Sequence, residues 1–310
     1  MKNINVAVLG DLEFAKELGK KGTSTDFEFY NYKSAEITAA FIVPIAYPDK
    51  LQSLTHVLGL ADTIILVVKE LDKTLGEFII AIDLLDFKNG IIILDEYAEK
   101  ERFLNLVKGT VLETFSIVDK NPQEVYSKLM TTEIRKSDVE KSDVEYVIID
   151  SVFNVKSVGT VVLGVSHGNF AIHDELQVYP TEKITLIKSI QIHDKDVKTT
   201  APGDRVGFVL KGVSVNEINR GCMLAKPGTL EVNDVLTANF NKSNYFKDPI
   251  EIGTRVNVAV GLQYRPSVVE KLEGNKIVLK IDKKVVYVKG QKFLILNQDK
   301  KIRIVGVGIL

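Results

Sequence analysis

The first 120 residues alternate short runs of β-branched and aliphatic residues with stretches in which apolar residues recur every three or four positions. Runs of the first kind predict strands, and stretches of the second kind predict amphipathic helices. The strands are expected at 5–9, 38–43, 63–68 and 91–94, and the helices at 11–18, 50–60, 75–87, 99–108 and 122–135. This alternation is typical of a parallel α/β domain.

From Tyr146 onward the pattern changes to short strands separated by Gly, Pro, Asn and Asp. The strands are expected at 147–153, 159–166, 175–179, 185–193, 205–210, 255–260, 268–273, 276–281, 284–288, 292–296 and 301–305. Strands that follow one another about every ten residues favour closed barrels. Because Pro227-Gly228 interrupts the series, we expect an α/β domain at 1–145, a first β-barrel at 146–228 and a second at 229–310.

Residues 136–145 contain two copies of the five-residue unit K-S-D-V-E. A short charged repeat of this kind predicts a solvated helix end or a linker, and a segment that docks a partner is the alternative.

The composition is that of a globular chain, with 310 residues, 45% hydrophobic and 26% charged. Its longest apolar runs fall far short of the ~18 residues that a membrane-spanning helix requires. The apolar run at the N-terminus ends at Gly10 without a signal-peptidase pattern, so we interpret it as a first strand. One cysteine, Cys222, and four scattered histidines predict neither a disulfide nor a metal site. We therefore expect a cytoplasmic protein without membrane contact.

Charge is distributed unevenly along the chain. Residues 1–145 hold 17 Lys/Arg against 25 Asp/Glu, a net charge of −8, whereas residues 229–310 hold 14 against 8, a net charge of +6. The segment between them has a net charge of +1, from 9 basic and 8 acidic residues. A polyanion such as RNA would be repelled by the first segment and attracted by the last.

The middle segment carries several ordered motifs of one protein family. They are the hairpin 153–164, Gly168, the D-E-L at 174–176, A-P-G-D-R-V-G at 201–207, L-K-G-V at 210–213 and the run from Glu217 to Gly228. Together they resemble the second domain of EF-Tu-like translation elongation factors. The first domain is similar to the SelB-like factors of methanogenic archaea in residues 18–26, 47–54 and 76–94. The resemblance implies a GTPase-like α/β domain followed by two small β-barrels, and it is weakest beyond Gly228.

The phosphate-binding loop of that family, G-x-x-x-x-G-K-[ST], is not preserved. It needs backbone amides around the phosphates, a lysine that neutralises them and a hydroxyl for Mg²⁺. Aligned without gaps on Gly10, Lys16 survives, but Ala15 replaces the second glycine and Glu17 replaces the hydroxyl. In the alternative alignment part of the loop is deleted. Both alignments predict that no nucleotide phosphate is held.

The remaining nucleotide motifs of the family are also altered. Where it has D-x-x-G and a water-positioning histidine, this chain has Val43, Ala46 and Tyr47. The guanine-reading N-K-x-D becomes Asp95-Glu-Tyr-Ala98. The resemblance therefore implies a pseudo-GTPase with no catalytic residue, no nucleotide cofactor and no metal.

The family's RNA contacts suggest candidate residues in the two barrels. Glu217 corresponds to a position that packs against the terminal adenosine of aminoacyl-tRNA, and Arg220 is expected to brace the adjacent turn or to face the RNA end. The basic candidates in the last segment are Lys271, Lys283, Lys284, Lys300, Lys301 and Arg303. The structural alternative is that Glu217 is a surface carboxylate and that these lysines lie on the solvent face of a barrel.

Other polar residues predict no chemistry. His56 is expected to be a surface or helix-face histidine. His193, with Asp194 and Asp196, fits the end of a strand and a turn, and Cys222 fits a buried small hydrophobe.

The sequence thus predicts a nucleotide-independent paralogue of EF-Tu-like and SelB-like factors that binds tRNA, another RNA or a translation-machinery protein. A protein-binding scaffold without an RNA ligand is the second hypothesis, and a GTP-dependent elongation factor with altered motifs is the third.

Overall fold

The structure is a computed structural model, and it describes residues 2–132 and 144–310. Most of the K-S-D-V-E repeat, residues 136–143, lies outside the described residues, so its predicted role as a linker stays a prediction. Among the described residues, no helix is long and apolar enough to cross a membrane.

The N-terminal part folds into one seven-stranded sheet flanked by helices. Its strands are β1 (Lys2–Leu9), β2 (Lys20–Ser24), β3 (Glu28–Lys33), β4 (Ile37–Val43), β5 (Thr63–Val68), β6 (Gly90–Leu94) and β7 (Ser116–Val118). They lie in the order β2-β3-β4-β1-β5-β6-β7. Neighbouring strands pair in parallel along the part β4-β1-β5-β6-β7 of this order, which confirms the predicted α/β pattern.

The sheet is mixed, however, because β3 runs antiparallel to β4 and β2 runs antiparallel to β3. These two strands were not predicted. All five residues of β2 are exposed, and its sequence K-K-G-T-S offers no apolar alternation. Its place in the sheet comes from backbone pairing with β3 and from an ion pair in which Lys21 Nζ lies 2.6 Å from Glu28 Oε1.

The described residues of this part also form five α-helices: α1 (Leu12–Glu17), α2 (Leu51–Leu60), α3 (Lys73–Leu85), α4 (Lys100–Leu106) and α5 (Pro122–Thr131). All five predicted helices are confirmed, with ends that differ by at most two residues; the predicted end of the last helix, at 135, lies outside the described residues. Side-chain oxygens of Asp11, Asp72 and Asn121 accept hydrogen bonds from amides in the first turns of α1, α3 and α5. Short polar side chains at this position stabilise a helix start.

The apolar faces of α1 and α5 pack on one side of the sheet. Phe14 from α1 and Leu129 from α5 join Val6, Phe41 and Ile65 from the strands in one buried cluster. The helices and strands that carry the candidate site are therefore fixed by a common core.

The middle part is a β-barrel built from β8 (Tyr146–Val155), β9 (Gly159–Ser166), β10 (Glu175–Tyr179), β11 (Lys183–Ile192), β12 (Lys195–Val197), β13 (Arg205–Lys211) and β14 (Met223–Ala225). The strands follow the order β10-β14-β8-β9-β13-β11-β12, and pairing of β10 with β11 closes the ring. Phe170 and Phe208 contact each other in its core. His193 and Asp194 form the predicted turn, between β11 and β12, and Cys222 is buried.

The last part is a closed barrel of β15 (Glu231–Lys242), β16 (Arg255–Val260), β17 (Gln263–Glu273), β18 (Lys276–Tyr287), β19 (Lys292–Leu296) and β20 (Ile304–Ile309). The α/β sheet followed by two barrels is the predicted fold class. Strand β15 was not predicted, because only Leu236 and Ala238 among its twelve residues are buried. The two strands predicted at 276–281 and 284–288 are one continuous strand, β18. Three consecutive exposed residues, 282–284, separate its two buried stretches.

Residues in contact separate into two compact units. One contains the described part of the N-terminal segment together with Asn241–Pro249 and Leu294–Val307, and the other contains the remaining described residues. The loop between β19 and β20 therefore belongs to the same unit as the α/β sheet.

Candidate functional site

The carboxyl ends of four parallel strands carry the polar residues of the candidate site. Gly10 and Asp11 follow β1, Lys69 follows β5, Asp95 follows β6, and Lys120 lies just beyond β7. Ligands of open α/β sheets bind at this edge, because the loops after the strands meet there. It is also the edge at which the sequence predicts an altered nucleotide site.

Gly10 makes the turn from β1 into α1. Its φ angle is +94°, and an added Cβ atom would lie 2.1 Å from the carbonyl oxygen of Val67. Only glycine fits this close approach between the turn and β5. The first glycine of the altered loop thus has a structural reason to be present.

Asp11 is the N-cap residue of α1, next to the backbone amides of the first helical turn. Its Oδ1 accepts hydrogen bonds from the amide nitrogens of Glu13, at 3.0 Å, and Phe14, at 3.2 Å. The residue is only 4% exposed. The chain's own carboxylate therefore uses the donors that a phosphate-binding loop would offer to its ligand.

Two lysines complete the neutralisation of this carboxylate. Lys120 Nζ lies 2.8 Å from Asp11 Oδ2 and 3.1 Å from Asp95 Oδ2, and Lys69 Nζ lies 3.1 Å from Asp11 Oδ2. Burial alone would raise the pKa of Asp11, but hydrogen bonds from Lys120, Lys69 and the Phe14 amide hold that pKa below its ordinary value. The Asp11 carboxylate in turn raises the pKa of Lys120. We call Asp11, Lys69, Asp95 and Lys120 the Asp11 network.

The residues aligned with the second half of the phosphate loop lie on α1. Ala15 is fully buried, and Glu17 is exposed. Lys16, which the ungapped alignment preserves in addition to Gly10, forms an exposed ion pair in which its Nζ lies 2.6 Å from Glu13 Oε1. The preserved lysine thus pairs along its own helix.

The loop after β4 holds the residues aligned with the metal- and water-binding motif. Val43 is buried at the end of β4, and the Ala46 amide donates to the carbonyl oxygen of Asp26 at 3.1 Å. The Tyr47 hydroxyl donates to Glu77 Oε2 at 2.8 Å, and its ring centroid lies 5.1 Å from that of Phe78. Burial and the Glu77 carboxylate raise the pKa of Tyr47.

Glu77 also receives the guanidinium of Arg303, from the loop before β20. Arg303 Nε lies 2.9 Å from Glu77 Oε1, and Nη2 lies 2.5 Å from Oε2. Arg303 Nη1 donates to the carbonyl oxygen of Pro48 at 2.8 Å. Burial alone would raise the pKa of Glu77, but Arg303 and Tyr47 hold it below its ordinary value. We call Arg303, Glu77, Tyr47 and the Pro48 carbonyl the Arg303 cluster.

The segment aligned with the guanine-reading motif is a tight turn. The Ala98 amide donates to the carbonyl oxygen of Asp95 at 2.9 Å, and the Asp95 amide donates to that of Val68 at 2.9 Å. The Asp95 side chain forms an ion pair with Lys120, which connects it to Asp11. Asp11, in the segment compared with the phosphate-binding loop, and Asp95, in the segment compared with the guanine-reading motif, therefore meet in one ion-pair network.

His56 lies on α2 as expected, but the surface position considered for it is wrong. The residue is fully buried, with Nδ1 lying 3.1 Å from Asp26 Oδ2 and its ring edge-on to Phe27. The reason is that Ser53, one turn earlier, donates to the carbonyl oxygen of Asp26 at 2.6 Å and holds this face of the helix against the start of β3.

In the middle barrel, Glu217 caps a short 3₁₀ turn. Its Oε2 accepts from the Ser214 amide at 2.8 Å, and Lys183 Nζ lies 3.0 Å from its Oε1. These contacts lower the pKa of Glu217 to about 2, and the hydrogen bond from the Ser214 amide is the largest cause. Arg220 Nε donates to the carbonyl oxygen of Asp150 at 3.0 Å, so Arg220 contacts strand β8.

The basic candidates of the last barrel differ in their surroundings. Lys271 Nζ lies 3.0 Å from Glu273 Oε1, Lys300 Nζ lies 2.7 Å from Asp248 Oδ1, and Arg303 is held by Glu77. Lys283, Lys284 and Lys301 are exposed.

The curated proteins with a similar sequence include two from Methanocaldococcus jannaschii. The chain is 35% identical to the uncharacterized protein MJ0325 of Methanocaldococcus jannaschii over the full length of both chains. It is 25% identical to the selenocysteine-specific elongation factor of the same organism over 99% of this chain and 79% of that protein. A scan against protein-family models gives no match.

Solved structures with a similar fold include translation elongation factors. Translation elongation factor SelB from Methanococcus maripaludis superposes with a TM-score of 0.83 in its apo form, at 22% identity, over all of this chain and 79% of that one. The bacterial selenocysteine-specific factor EF-Sec gives a TM-score of 0.81 at 19% identity, over 58% of its own chain.

The chain belongs to the EF-Tu/SelB-like family of translation elongation factors. Sequence comparison identifies Asp95 as a charged residue in the segment compared with the guanine-reading motif, but it misses Lys69 and Lys120. Neither lysine belongs to a family motif, and the one available signal is their place after buried parallel strands.

Proposed function

We propose that this protein is a translation-factor paralogue that works without binding or hydrolysing GTP. The Asp11 network is the observation that carries the proposal. A phosphate in this position would compete with the Asp11 carboxylate for the Glu13 and Phe14 amides and for the ammonium groups of Lys69 and Lys120. It would also meet that carboxylate as a like charge.

The energetic argument follows from the contacts that the altered motifs no longer provide. Each lost charge-assisted hydrogen bond costs on the order of 1–3 kcal/mol of ligand affinity at a buried site. The family has an aspartate or a glycine at three positions where this chain has the apolar residues Val43, Ala46 and Ala98. At the position of the family's water-positioning histidine, Tyr47 donates its hydroxyl hydrogen to Glu77. Catalysis of hydrolysis thus lacks a residue that would orient the attacking water.

We propose that the chain keeps the three domains of its family, at 1–145, 146–228 and 229–310, as a body for binding in the cytoplasm. Its ligand in this proposal is tRNA or another RNA. Support comes from the net charge of +6 in residues 229–310 and from the exposed ammonium groups of Lys283, Lys284 and Lys301. Lysines of this kind contact phosphates and position an RNA without reading its bases.

Capture of RNA by ultraviolet crosslinking of the tagged protein in its native cells tests this function. The informative variant is Lys283→Ala with Lys284→Ala, because these exposed residues are expected to leave the fold intact. Lys16→Ala is the matched control, since Lys16 is an exposed lysine in the acidic segment. Enrichment of a defined RNA set that is reduced in the double variant and kept in the control supports RNA binding.

The role of Glu217 needs a conservative substitution in the same experiment. Glu217→Gln keeps an oxygen that accepts from the Ser214 amide and removes the negative charge. Arg220→Ala, in contrast, would remove the hydrogen bond to the Asp150 carbonyl and disturb the barrel. Loss of the captured RNA in Glu217→Gln, with unchanged thermal stability, would assign Glu217 to the RNA contact.

A protein-binding scaffold is the second candidate function. The net charge of −8 in residues 1–145 favours it, because this segment repels RNA and attracts basic protein surfaces. Crosslinking that yields no RNA above the untagged background would support this candidate over the first.

A further inference from the structure

Arg303 and Glu77 are separated by 226 residues in the sequence and form a hydrogen-bonded ion pair within one compact unit. The side chain of Glu77 is 1% exposed, and that of Arg303 is 14% exposed. The pair is therefore shielded from water over most of its surface. A guanidinium that meets a carboxylate through two nitrogens has a fixed orientation as well as a favourable charge.

The same guanidinium holds the loop between β4 and α2, residues 44–50. It donates to the carbonyl oxygen of Pro48, and its central carbon lies 5.5 Å from the centroid of the Tyr47 ring. Tyr47 adds the hydrogen bond from its hydroxyl to Glu77. The loop is thus attached to α3 and to the segment before β20 through one buried group.

The backbone of the loop has few other fixed points. The Ala46 amide donates to Asp26 at 3.1 Å, and the amides of Tyr47 and Lys50 donate within the loop, to Pro44 at 3.2 Å and to Ala46 at 2.8 Å. Without Arg303, Glu77 would keep the Tyr47 hydroxyl and a lysine, Lys73, whose Nζ is 4.0 Å away. Arg303 thus supplies the contacts of the loop with the segment before β20, in addition to the contacts of Tyr47 with α3.

We propose that Arg303 fixes the loop 44–50 and the segment before β20 as one body, in an arrangement that does not respond to nucleotides. The inference rests on the proposed function, because the loop stands where the family has a metal- and water-binding motif. A loop that must rearrange with a bound phosphate needs contacts that break easily. This loop instead contacts a buried ion pair, because Arg303 binds both the Pro48 carbonyl and the Glu77 carboxylate.

Hydrogen exchange of the full chain, followed by mass spectrometry, tests the proposal. Arg303→Ala is expected to speed exchange at the amides of Ala46, Tyr47 and Lys50 by at least about tenfold, which corresponds to one decade in the local opening equilibrium. Amides of the buried strand β5 are expected to exchange at the wild-type rate. Lys301→Ala, two residues away and exposed, is the matched control and is expected to leave the loop unchanged.

Arg303→Lys serves as a second variant if the alanine variant folds poorly. It keeps a positive charge and loses the fork that reaches Glu77 and Pro48 together, so it is expected to give a smaller increase in the same three amides. Unchanged loop exchange in both variants would overturn the proposal. Equal acceleration of exchange in the loop and in β5 would also overturn the proposal. That result would indicate a general loss of stability and no specific effect of Arg303 on the loop.

Addition of GTP or GDP with Mg²⁺ to the wild type separates this inference from the proposed function. Unchanged exchange in the loop is expected. Nucleotide binding without a change in the loop would refute the proposed function and leave the Arg303 cluster in place. A change in loop exchange on addition of nucleotide would refute the inference itself.

Discussion

The ammonium of Lys120 lies 2.8 Å from the carboxylate of Asp11, at the start of α1. In the proposed function, this contact places a negative charge of the protein beside the segment compared with the phosphate-binding loop, and it places a positive charge of the protein next to it. A site that already contains its own anion and its own cations offers little electrostatic gain to a nucleotide. The Asp11 network is therefore both a stabilising feature of this fold and the physical reason for proposing a nucleotide-independent factor.

Replacement of Asp11 by alanine is expected to lower the free energy of unfolding by about 1–2 kcal/mol, because the amides of Glu13 and Phe14 lose their acceptor. Urea-induced unfolding measures this change. Glu13→Ala, which breaks an exposed ion pair with Lys16, is the control and is expected to cost less than about 0.5 kcal/mol. Equal effects of the two substitutions would show that Asp11 does not cap the helix.

Stability is expected to fall in acid because the pKa values of Asp11 and Glu77 are both lower in the folded chain than in the unfolded one. A lowered folded pKa contributes stability above the unfolded value, about 4, and that stability is lost as the pH drops toward the folded value. Unfolding curves recorded from pH 7 to pH 3 are expected to show a smaller loss for Asp11→Asn than for the wild type. Parallel curves for the two proteins would contradict the assignment.

Tyr47→Phe is expected to lower the free energy of unfolding by roughly 1–3 kcal/mol, because it removes a hydrogen bond to the buried carboxylate of Glu77. Thermal and urea unfolding of the variant give the value. Tyr97→Phe is the matched control, since Tyr97 is 84% exposed and its substitution is expected to have no measurable effect. A neutral Tyr47→Phe variant would mean that Arg303 alone satisfies Glu77.

The Glu217 carboxyl group is expected to titrate near pH 2 when it is followed by NMR, because the Ser214 amide and Lys183 stabilise its charged form. Lys183→Met is expected to raise this pKa only in part, since the Ser214 amide is the larger cause. An ordinary pKa of about 4.3 in the wild type would show that the cap is open in solution.

Sequence reasoning predicts the fold class because the periodic signals are strong where side chains enter a core. Strands such as β5 and β9 and helices such as α3 are recognised from such patterns. Strand β2 has no buried side chain, and β15 has only two. Their pairing depends on neighbouring strands that lie elsewhere in the sequence, so a local pattern does not reveal them.

The candidate site is predictable only where a family motif marks it. The motif comparison identifies the altered positions Asp95 and Tyr47, whereas their new partners Lys120 and Arg303 become apparent only when distant segments meet. Glu77 illustrates the same limit, because it lies within the predicted apolar helix α3 and is buried by an arginine that follows it by 226 residues.

Binding of GTP and GDP to the purified protein tests the central claim most directly. Isothermal titration calorimetry and thermal unfolding with about 1 mM nucleotide and Mg²⁺ are expected to give no heat of binding and no shift in Tm. A ligand present at about 100 times its Kd would stabilise the folded chain by about 2.7 kcal/mol and raise Tm by several degrees. A saturable heat of binding accompanied by such a rise would contradict the nucleotide-independent account.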